Sequence, residues 1–471
     1  MRIGIIGSGF GAMSVAIEFM RAGHRDVRLW ERSHEVGGVW RDNTYPGAAC
    51  DVPSPLYSFS FEKNTEWSRR YAPQPEIHAY LRKVARTYGI TERTRFGAEV
   101  VAATWDEASS TWMVEFASGD TETVDLLVTA VGQLSSPRRL DVPGAGTFAG
   151  PEFHSAQWDH DVDLADKHVA VLGAGASAIQ FVPHLARDAA KVTVFQRSAS
   201  YILPKPDGPY PRWAKAAILA ERPGVWWLAE QFSRSLDEGS FTGRTLEKAC
   251  RAHLEHRISD PALRARLTPD YPIGCKRILF SNDYYKALAL PHVDVTTDRI
   301  THLAPTGVGT TEGLVEADVV IHATGFATQE FLSTIDITGA GGTKLAAQWT
   351  DGARAHLGMY VPHFPNLFIS YGPNTNLGGS SIIFMLEAQA RHMRQVVDRM
   401  VATGAVRVEP TEAAEQAWDD DVQGRLEQTV WGDCDNWYRH ASGRITSNWP
   451  GGTLPFARRV RHLDAKDFAW T

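Results

Sequence analysis

The sequence predicts an α/β fold with parallel sheets, and three observations carry that reading. A short apolar strand, Arg2 to Ile6, runs into Gly7-Ser8-Gly9-Phe10-Gly11-Ala12 and opens a helical pattern from Met13 to Met20. The arrangement returns with strand His168 to Leu172, the turn Gly173-Ala174-Gly175-Ala176-Ser177-Ala178 and the helical pattern Ile179 to Leu185. Each half also has a buried closing strand that ends in glycine, Leu126 to Gly132 and Asp318 to Gly325. In a strand–turn–helix of this kind the first glycine makes the turn and the second lets the backbone approach a pyrophosphate. The third position, Ala12 in one turn and Ala178 in the other, allows close helix–sheet packing. The helix N-terminus supplies N–H donors and a favourable dipole for phosphate. One such turn alone is weak support; two in context predict two Rossmann-like dinucleotide-binding domains whose nucleotides face each other.

The two turns want different nucleotides. After the first helix, strand Val27 to Trp30 ends on Glu31, where an acid accepts hydrogen bonds from ribose hydroxyls and repels a 2′-phosphate. That suits FAD. After the second helix, strand Val192 to Phe195 ends on Gln196-Arg197-Ser198, with no acid. A guanidinium beside a hydroxyl matches a phosphate in charge and geometry, which suits NADPH.

Organisation along the chain follows from these units. Residues 1–138 read as the first part of an FAD-binding domain and 149–207 as the first part of an NADPH-binding domain. Residues 208–274, rich in Ala, Leu, Glu and Arg between Trp213 and Arg266, read as a helical insertion. Residues 275–325 return to the NADPH-binding domain, and 326–471 to the FAD-binding domain, including a long helix from Ile382 to Met400. The Pro- and Gly-punctuated stretch 133–148 reads as a linker.

Bulk properties bound the function. The 471 residues are enough for two or three domains with large cores. A formal charge of −7 argues against nucleic acid or an anionic membrane as the main partner. The four cysteines, Cys50, Cys250, Cys275 and Cys434, lack CxxC spacing, so neither a disulfide framework nor a metal site is expected and a reducing, cytoplasmic location is. The chain starts in its first strand, which predicts no signal peptide, and no apolar run approaches a membrane span. The fifteen tryptophans are expected as core and cofactor-pocket walls.

Further motifs narrow the chemistry. Phe148, Gly150, His154, Trp158 and Asp159 fit the pattern FxGxxxHxxxW(P/D), and Gly37-Gly38-Val39-Trp40, Tyr45-Pro46-Gly47 and Asp51 fit (A/G)GxWxxxx(F/Y)P(G/M)xxxD. With Gly274-Cys275-Lys276-Arg277, Cys434 to Tyr438 and Trp449-Pro450-Gly451, the chain resembles the type I Baeyer–Villiger monooxygenases over nearly its whole length. The resemblance implies FAD, NADPH, O₂ and a small-molecule ketone, with one oxygen atom inserted beside the carbonyl, through a C4a-peroxyflavin, to give an ester or lactone. That path is anionic and needs a fixed cation, so Arg277 is the candidate, held by the Asp51 carboxylate. The resemblance also places Lys276 beside Arg197 on the 2′-phosphate, Gln133 at the nicotinamide, and His154 as the residue coupling nicotinamide binding to domain motion. Cofactor contacts are expected from Gly7, Gly9, Phe10, Gly11, Glu31, Val39, Trp40, Asp51, Tyr57 and Val100 on the flavin side. On the nicotinamide side they are expected from Gly173, Gly175, Ala176, Ser177, Gln180, Ser198, Ala323 and Thr324, with Trp437 near both. The closing strand reads Ala-Val-Gly where the family commonly has Ala-Thr-Gly, and the chain is compact for the family, which leaves the substrate class open.

Three rivals stand beside this reading. Flavin-containing monooxygenases, which usually carry Tyr or Phe in place of Trp158, oxygenate N or S with the protonated, electrophilic form of the same oxidant. A disulfide reductase needs a redox cysteine pair after the first unit, where Cys50 stands alone. A non-catalytic flavin module has no need of a complete NADPH site. A monomer or a homodimer fits the sequence equally well.

Overall fold

Two five-stranded parallel sheets organise the chain, and the glycine turns sit at their centres. The computed structural model describes residues 1–211, 215–237, 239–434 and 436–471. The first sheet runs, edge to edge, Leu367–Ile369, Leu126–Thr129, Ile3–Ile6, Val27–Glu31 and Thr94–Phe96, every pair parallel. The second runs Val293–Thr296, Lys191–Phe195, His168–Leu172, Val319–His322 and Glu152–His154, again all parallel. Strands Ile3–Ile6 and Val319–His322 are buried along their whole length, as parallel strands covered on both faces must be.

The helices after the glycine turns are longer than their apolar patterns. They span Phe10–Arg21 and Ala178–Asp188, because the turn residues themselves enter the first helical turn. The tail returns to the first sheet through Leu367–Ile369, and helix Ile382–Thr403 packs along Phe10–Arg21. The stretch expected to be helical holds helices Lys215–Ser233, Phe241–Arg257 and Pro261–Arg266, while Trp213 lies outside the described residues. Its first helix is anchored to the C-terminal part: Glu230 accepts from the backbone N–H of Thr453 (2.9 Å) and Leu454 (3.4 Å).

Two smaller sheets escape the pattern reading. Val100–Asp106, Thr111–Phe116 and Thr121–Val124 form an antiparallel meander joined by Asp336–Thr338, and Ile300–Ala304, Gly307–Thr310 and Gly313–Glu316 form another. Apart from Asp336–Thr338, which follows both closing strands, their strands lie between the glycine turns and the closing strands, so they lengthen each unit without altering its sheet order.

One expectation is corrected. Cys275 and Cys434 form a disulfide across 159 residues of sequence. Spacing along the chain carries no information about such a pair, since each cysteine reaches the same place from a different unit. Cys50 and Cys250 are free and buried. Of the tryptophans expected in the core or at a cofactor pocket, Trp30, Trp67, Trp112, Trp431 and Trp449 are fully buried, while Trp227, 60% exposed, stands outside the core. Among the described residues, no helix is long and apolar enough to cross a membrane.

Candidate active site

Both glycine turns end in helices that begin without a side-chain cap, at Gly9 and at Ser177. Capping varies elsewhere in the chain: Phe241–Arg257 is capped by Ser240 and Pro261–Arg266 by Asp260, whereas Gln74–Thr87 and Ile382–Thr403 have no side-chain cap. The first-turn N–H groups of the two glycine-turn helices have no side-chain acceptor, which is the donor set an anion requires. Backbone geometry explains the glycines. Gly7 has φ 107° and a Cβ there would lie 2.6 Å from the Ala130 carbonyl; Gly173 has φ 114° and would meet the Ala323 carbonyl at 2.5 Å. Gly11 lies against Ser370, and Gly9 faces Gly38 so closely that a Cβ on Gly38 would stand 3.4 Å from the Gly9 Cα. Phe10 turns inward onto Tyr57 and Phe59.

Glu31 closes the second strand of the first sheet and is buried. It accepts from the Ser8 hydroxyl (2.6 Å) and the Ser33 N–H (3.0 Å), and pairs with Arg41 at 3.1 Å. Its carboxylate is therefore fixed beside the glycine turn. Val39 and Trp40 start the one-turn helix Val39–Asp42, and the Trp40 indole N–H donates to the Tyr57 hydroxyl at 3.0 Å. Val100 begins a strand of the meander and is packed into the apolar cluster that includes Trp30, the neighbour of Glu31 in the second strand.

At the corresponding end of the second sheet, Arg197 is exposed and has no ion pair or side-chain hydrogen bond among the described residues. Lys276 donates to the Ser198 hydroxyl at 2.6 Å and lies over the Tyr271 ring. The three groups predicted for a 2′-phosphate are thus together. Gly175 and Ala176 lie in the turn, and a Cβ on Gly175 would meet nothing within 4 Å. Gln180 plays a part that its position in the motif does not suggest. Its carboxamide donates to the Ala49 carbonyl (3.0 Å) and accepts from the Ala49 N–H (3.3 Å) and the Tyr45 hydroxyl (3.0 Å). It stitches the second unit to the first.

The same seam carries the charged pair. Asp51 and Arg277 meet at 2.7 Å, one from each unit. The Arg277 side chain keeps 43% of its surface accessible although Asp51, Tyr371, Tyr438 and Cys50 stand around it. The attraction of Asp51 holds the guanidinium even more firmly protonated than usual. Cys275, bonded to Cys434, sits two residues before Arg277 and ties this segment to the loop of Asn436, Trp437 and Tyr438. Burial pushes the Tyr438 phenol up to about 12. The Trp437 ring lies 4.0 Å from that of Tyr438, while Asp435 falls outside the described residues. Gln133 donates to the Tyr371 carbonyl at 3.4 Å, and Thr324, just after Ala323, donates to the Arg138 carbonyl.

His154 is not beside this pair. It ends the edge strand Glu152–His154, level with His322, and is fully buried. Its Nδ1 accepts from the Ala156 N–H at 3.0 Å, and its buried Nε2 makes no hydrogen bond of good geometry. Burial, with His322 adding to it, pushes its pKa down to about 4, so the ring is neutral at ordinary pH. The rest of its fingerprint is packing. Phe148 and Trp158 are buried, Trp158 against Phe181, and a Cβ on Gly150 would stand 2.4 Å from the Asp318 carbonyl.

Comparison with known proteins gives the family. Over 99% of its length the chain is 41% identical to a protein of Streptomyces coelicolor named Baeyer-Villiger monooxygenase, covering 92% of that protein. The chain belongs to the Baeyer–Villiger monooxygenase family. A second relative of that name, from Pseudomonas aeruginosa, is 38% identical over all of this chain and 91% of its own. Residues 1–236 match the family model described as pyridine nucleotide-disulphide oxidoreductase. Among solved structures, oxidized steroid monooxygenase bound to NADP superposes with a TM-score of 0.90 at 29% identity, covering 100% of this chain and 99% of that one. The closed crystal structure of cyclohexanone monooxygenase gives 0.92 at 25% identity with the same coverage.

Proposed function

We propose that this chain is an FAD- and NADPH-dependent Baeyer–Villiger monooxygenase that converts a small ketone and O₂ into an ester or lactone. The observation that carries the reading is the Asp51–Arg277 pair, assembled at 2.7 Å from two units that each offer a dinucleotide turn. The residues present fit both cofactors. The uncapped helix at Gly9, the close-set Gly9 and Gly38, and the fixed Glu31 carboxylate would hold FAD by its pyrophosphate and ribose. The uncapped helix at Ser177, with Arg197, Ser198 and Lys276, would hold NADPH. Bound and reduced, the flavin supplies the activation of O₂.

The chain's own residues do the rest. Oxygen insertion beside a carbonyl passes through negative charge on the substrate oxygen, and a cation fixed beforehand lowers that barrier without reorganising. Arg277 keeps its charge at every working pH and presents a planar fork, one arm of which Asp51 occupies. Asp51 orients the guanidinium. The half-buried Tyr371 and the buried Tyr438 stand beside the charge, and the rest of the guanidinium stays accessible. Gln133 and Trp437 are proposed at the nicotinamide and at the mouth of the site, and His154 is proposed as a neutral support of the strand that leads from one unit to the other. The proposed division is 1–138 and 326–471 for the flavin, 149–207 and 275–325 for the nicotinamide, with 208–274 inserted. A monomer or a homodimer working in the cytoplasm fits this chemistry.

Arg277→Ala tests the reading. It should keep FAD and lose ketone oxygenation by about 10²–10³, the usual cost of one preorganised charge-stabilising donor. Arg277→Lys should recover little, because an ammonium lacks the fork. Oxidation of a sulfide by the neutral oxidant should survive better. Full ketone-to-ester turnover by Arg277→Ala, seen in product analysis with labelled O₂, refutes the role.

A further inference from the structure

The Asp51–Arg277 pair taken alone is electrically nearly neutral, which is a poor device for stabilising an anion. A carboxylate in contact with a guanidinium cancels most of its field beyond a few ångström. A second cation stands on the other side of Asp51. Lys205 donates its ammonium to the carbonyl of Cys50, the residue before Asp51, at 3.0 Å, and lies 4.7 Å from the centre of the Tyr71 ring. Burial lowers the Lys205 pKa below its ordinary value, and the attraction of the Asp51 carboxylate works against that loss of charge.

Lys205 is placed there by construction. Strand Ile202–Leu203 pairs in parallel with Leu279–Phe280, and Lys205 follows the first by two residues as Arg277 precedes the second by two. Asn282 clamps the Lys205 backbone from both sides, accepting from its N–H at 3.0 Å and donating to its carbonyl at 2.7 Å. The parallel register sets Lys205 level with Asn282 and Arg277 level with Ser200, at opposite ends of the short ribbon. The two long side chains reach the dipeptide Cys50-Asp51 from those ends, Lys205 at the Cys50 carbonyl and Arg277 at the Asp51 carboxylate. The strap beyond Lys205 is fixed as well: the Arg70 N–H donates to the Gly208 carbonyl (2.9 Å), and the Tyr210 N–H to the Ser68 carbonyl (2.8 Å). Arg69 is also near, but Asp207 matches it at 2.7 Å and leaves it no net effect. Two cations thus face one carboxylate.

We propose that Lys205 is a positioning residue of the oxygenation centre, which pins Cys50-Asp51 and keeps the Asp51–Arg277 site net positive. The proposal rests on the reading of Arg277 as the cation of that centre. At an effective dielectric of about 20, a unit charge roughly 7–10 Å from a developing anion is worth about 15- to 50-fold in rate.

The test uses the purified holoenzyme, with Lys205→Met and Lys205→Arg beside the unaltered protein, and reads FAD content, flavin midpoint potential and ketone turnover. Lys205→Met should retain FAD and its KM for NADPH, show a lower midpoint potential, and lose about 15- to 50-fold in kcat for ester formation. Lys205→Arg should restore both the potential and kcat. An unchanged potential and kcat in Lys205→Met overturns the proposal. Equal losses in both variants overturn it too, because they mean that shape and not charge is at stake. If the unaltered protein oxygenates no ketone, the functional reading fails, and the midpoint potentials of the two variants still decide whether Lys205 supplies positive charge to the site.

Discussion

Acidification should destabilise this protein through His154, by an amount that its burial sets. In the unfolded chain the imidazole takes a proton near pH 6.5; in the folded chain, sealed from water beside His322, it does so only near pH 4. Between those values the unfolded state binds more protons, so stability is intact above about pH 6.5 and is lost as pH falls through the window. At roughly 1.4 kcal/mol per pH unit the full effect is about 3 kcal/mol, with about 2 kcal/mol of it reached at pH 5. Glutamine does not titrate, so His154→Gln should lack this contribution. His322, whose pKa burial also lowers, is present in both proteins and cancels in the comparison. Urea unfolding at pH 8 and pH 5, with FAD in excess, is the assay. The unaltered protein should lose about 2 kcal/mol more than His154→Gln over that interval. Equal losses would show that the ring is not held neutral by burial. The same reasoning gives a kinetic corollary: no ionisation of His154 should appear in flavin reduction or product formation between pH 6 and 9.

Arg197→Ala should raise the KM for NADPH by about 10- to 150-fold and leave NADH use nearly unchanged, as the loss of one charge-assisted phosphate pair dictates; equal losses with both nucleotides would remove Arg197 from the phosphate site. Titration with a thiol reagent under denaturing conditions should find two reactive sulfurs, Cys50 and Cys250, before reduction and four after it. Finding four at the outset would mean that Cys275 and Cys434 are unbonded in the purified protein. Reducing the bond should lower the unfolding free energy by up to about 5 kcal/mol for so long a loop. Gln180→Ala breaks three hydrogen bonds across the seam and should lower thermal stability by about 2 kcal/mol or more; an unchanged Tm would show the seam is held elsewhere.

The parts legible in the sequence are those whose chemistry is local. The glycine turns follow from backbone sterics within six residues, and Glu31 and Arg197 from their distance along one strand–helix–strand unit. Arg277 and Asp51 were legible only through resemblance, since nothing in the spacing of two residues 226 positions apart says they touch. The Cys275–Cys434 bond was missed for the same reason. Lys205 carries no motif at all; its place depends on which strand Ile202–Leu203 pairs with, a long-range fact. Short strands such as Val100–Asp106 were missed because one face packs under Trp30 while the other is open, and the run was too mixed to stand out. The fingerprint around His154 was legible as a pattern that gives the family, and Phe148, Gly150 and Trp158 in it are held by packing.

Gly47, in the segment between Tyr45 and Asp51, has a consequence for how such a protein can change. A side chain there would strike the His184 ring at 2.5 Å and the Gln180 carbonyl at 2.7 Å, and its φ of 79° already excludes most residues. Neither half can therefore be altered along this line without a matched alteration in the other. Chimeras that take one nucleotide-binding half from a relative should fail unless positions 45, 47, 180 and 184 travel as a set, and directed evolution restricted to one half will find this strip closed to it. The boundary between the halves behaves as a single inherited unit.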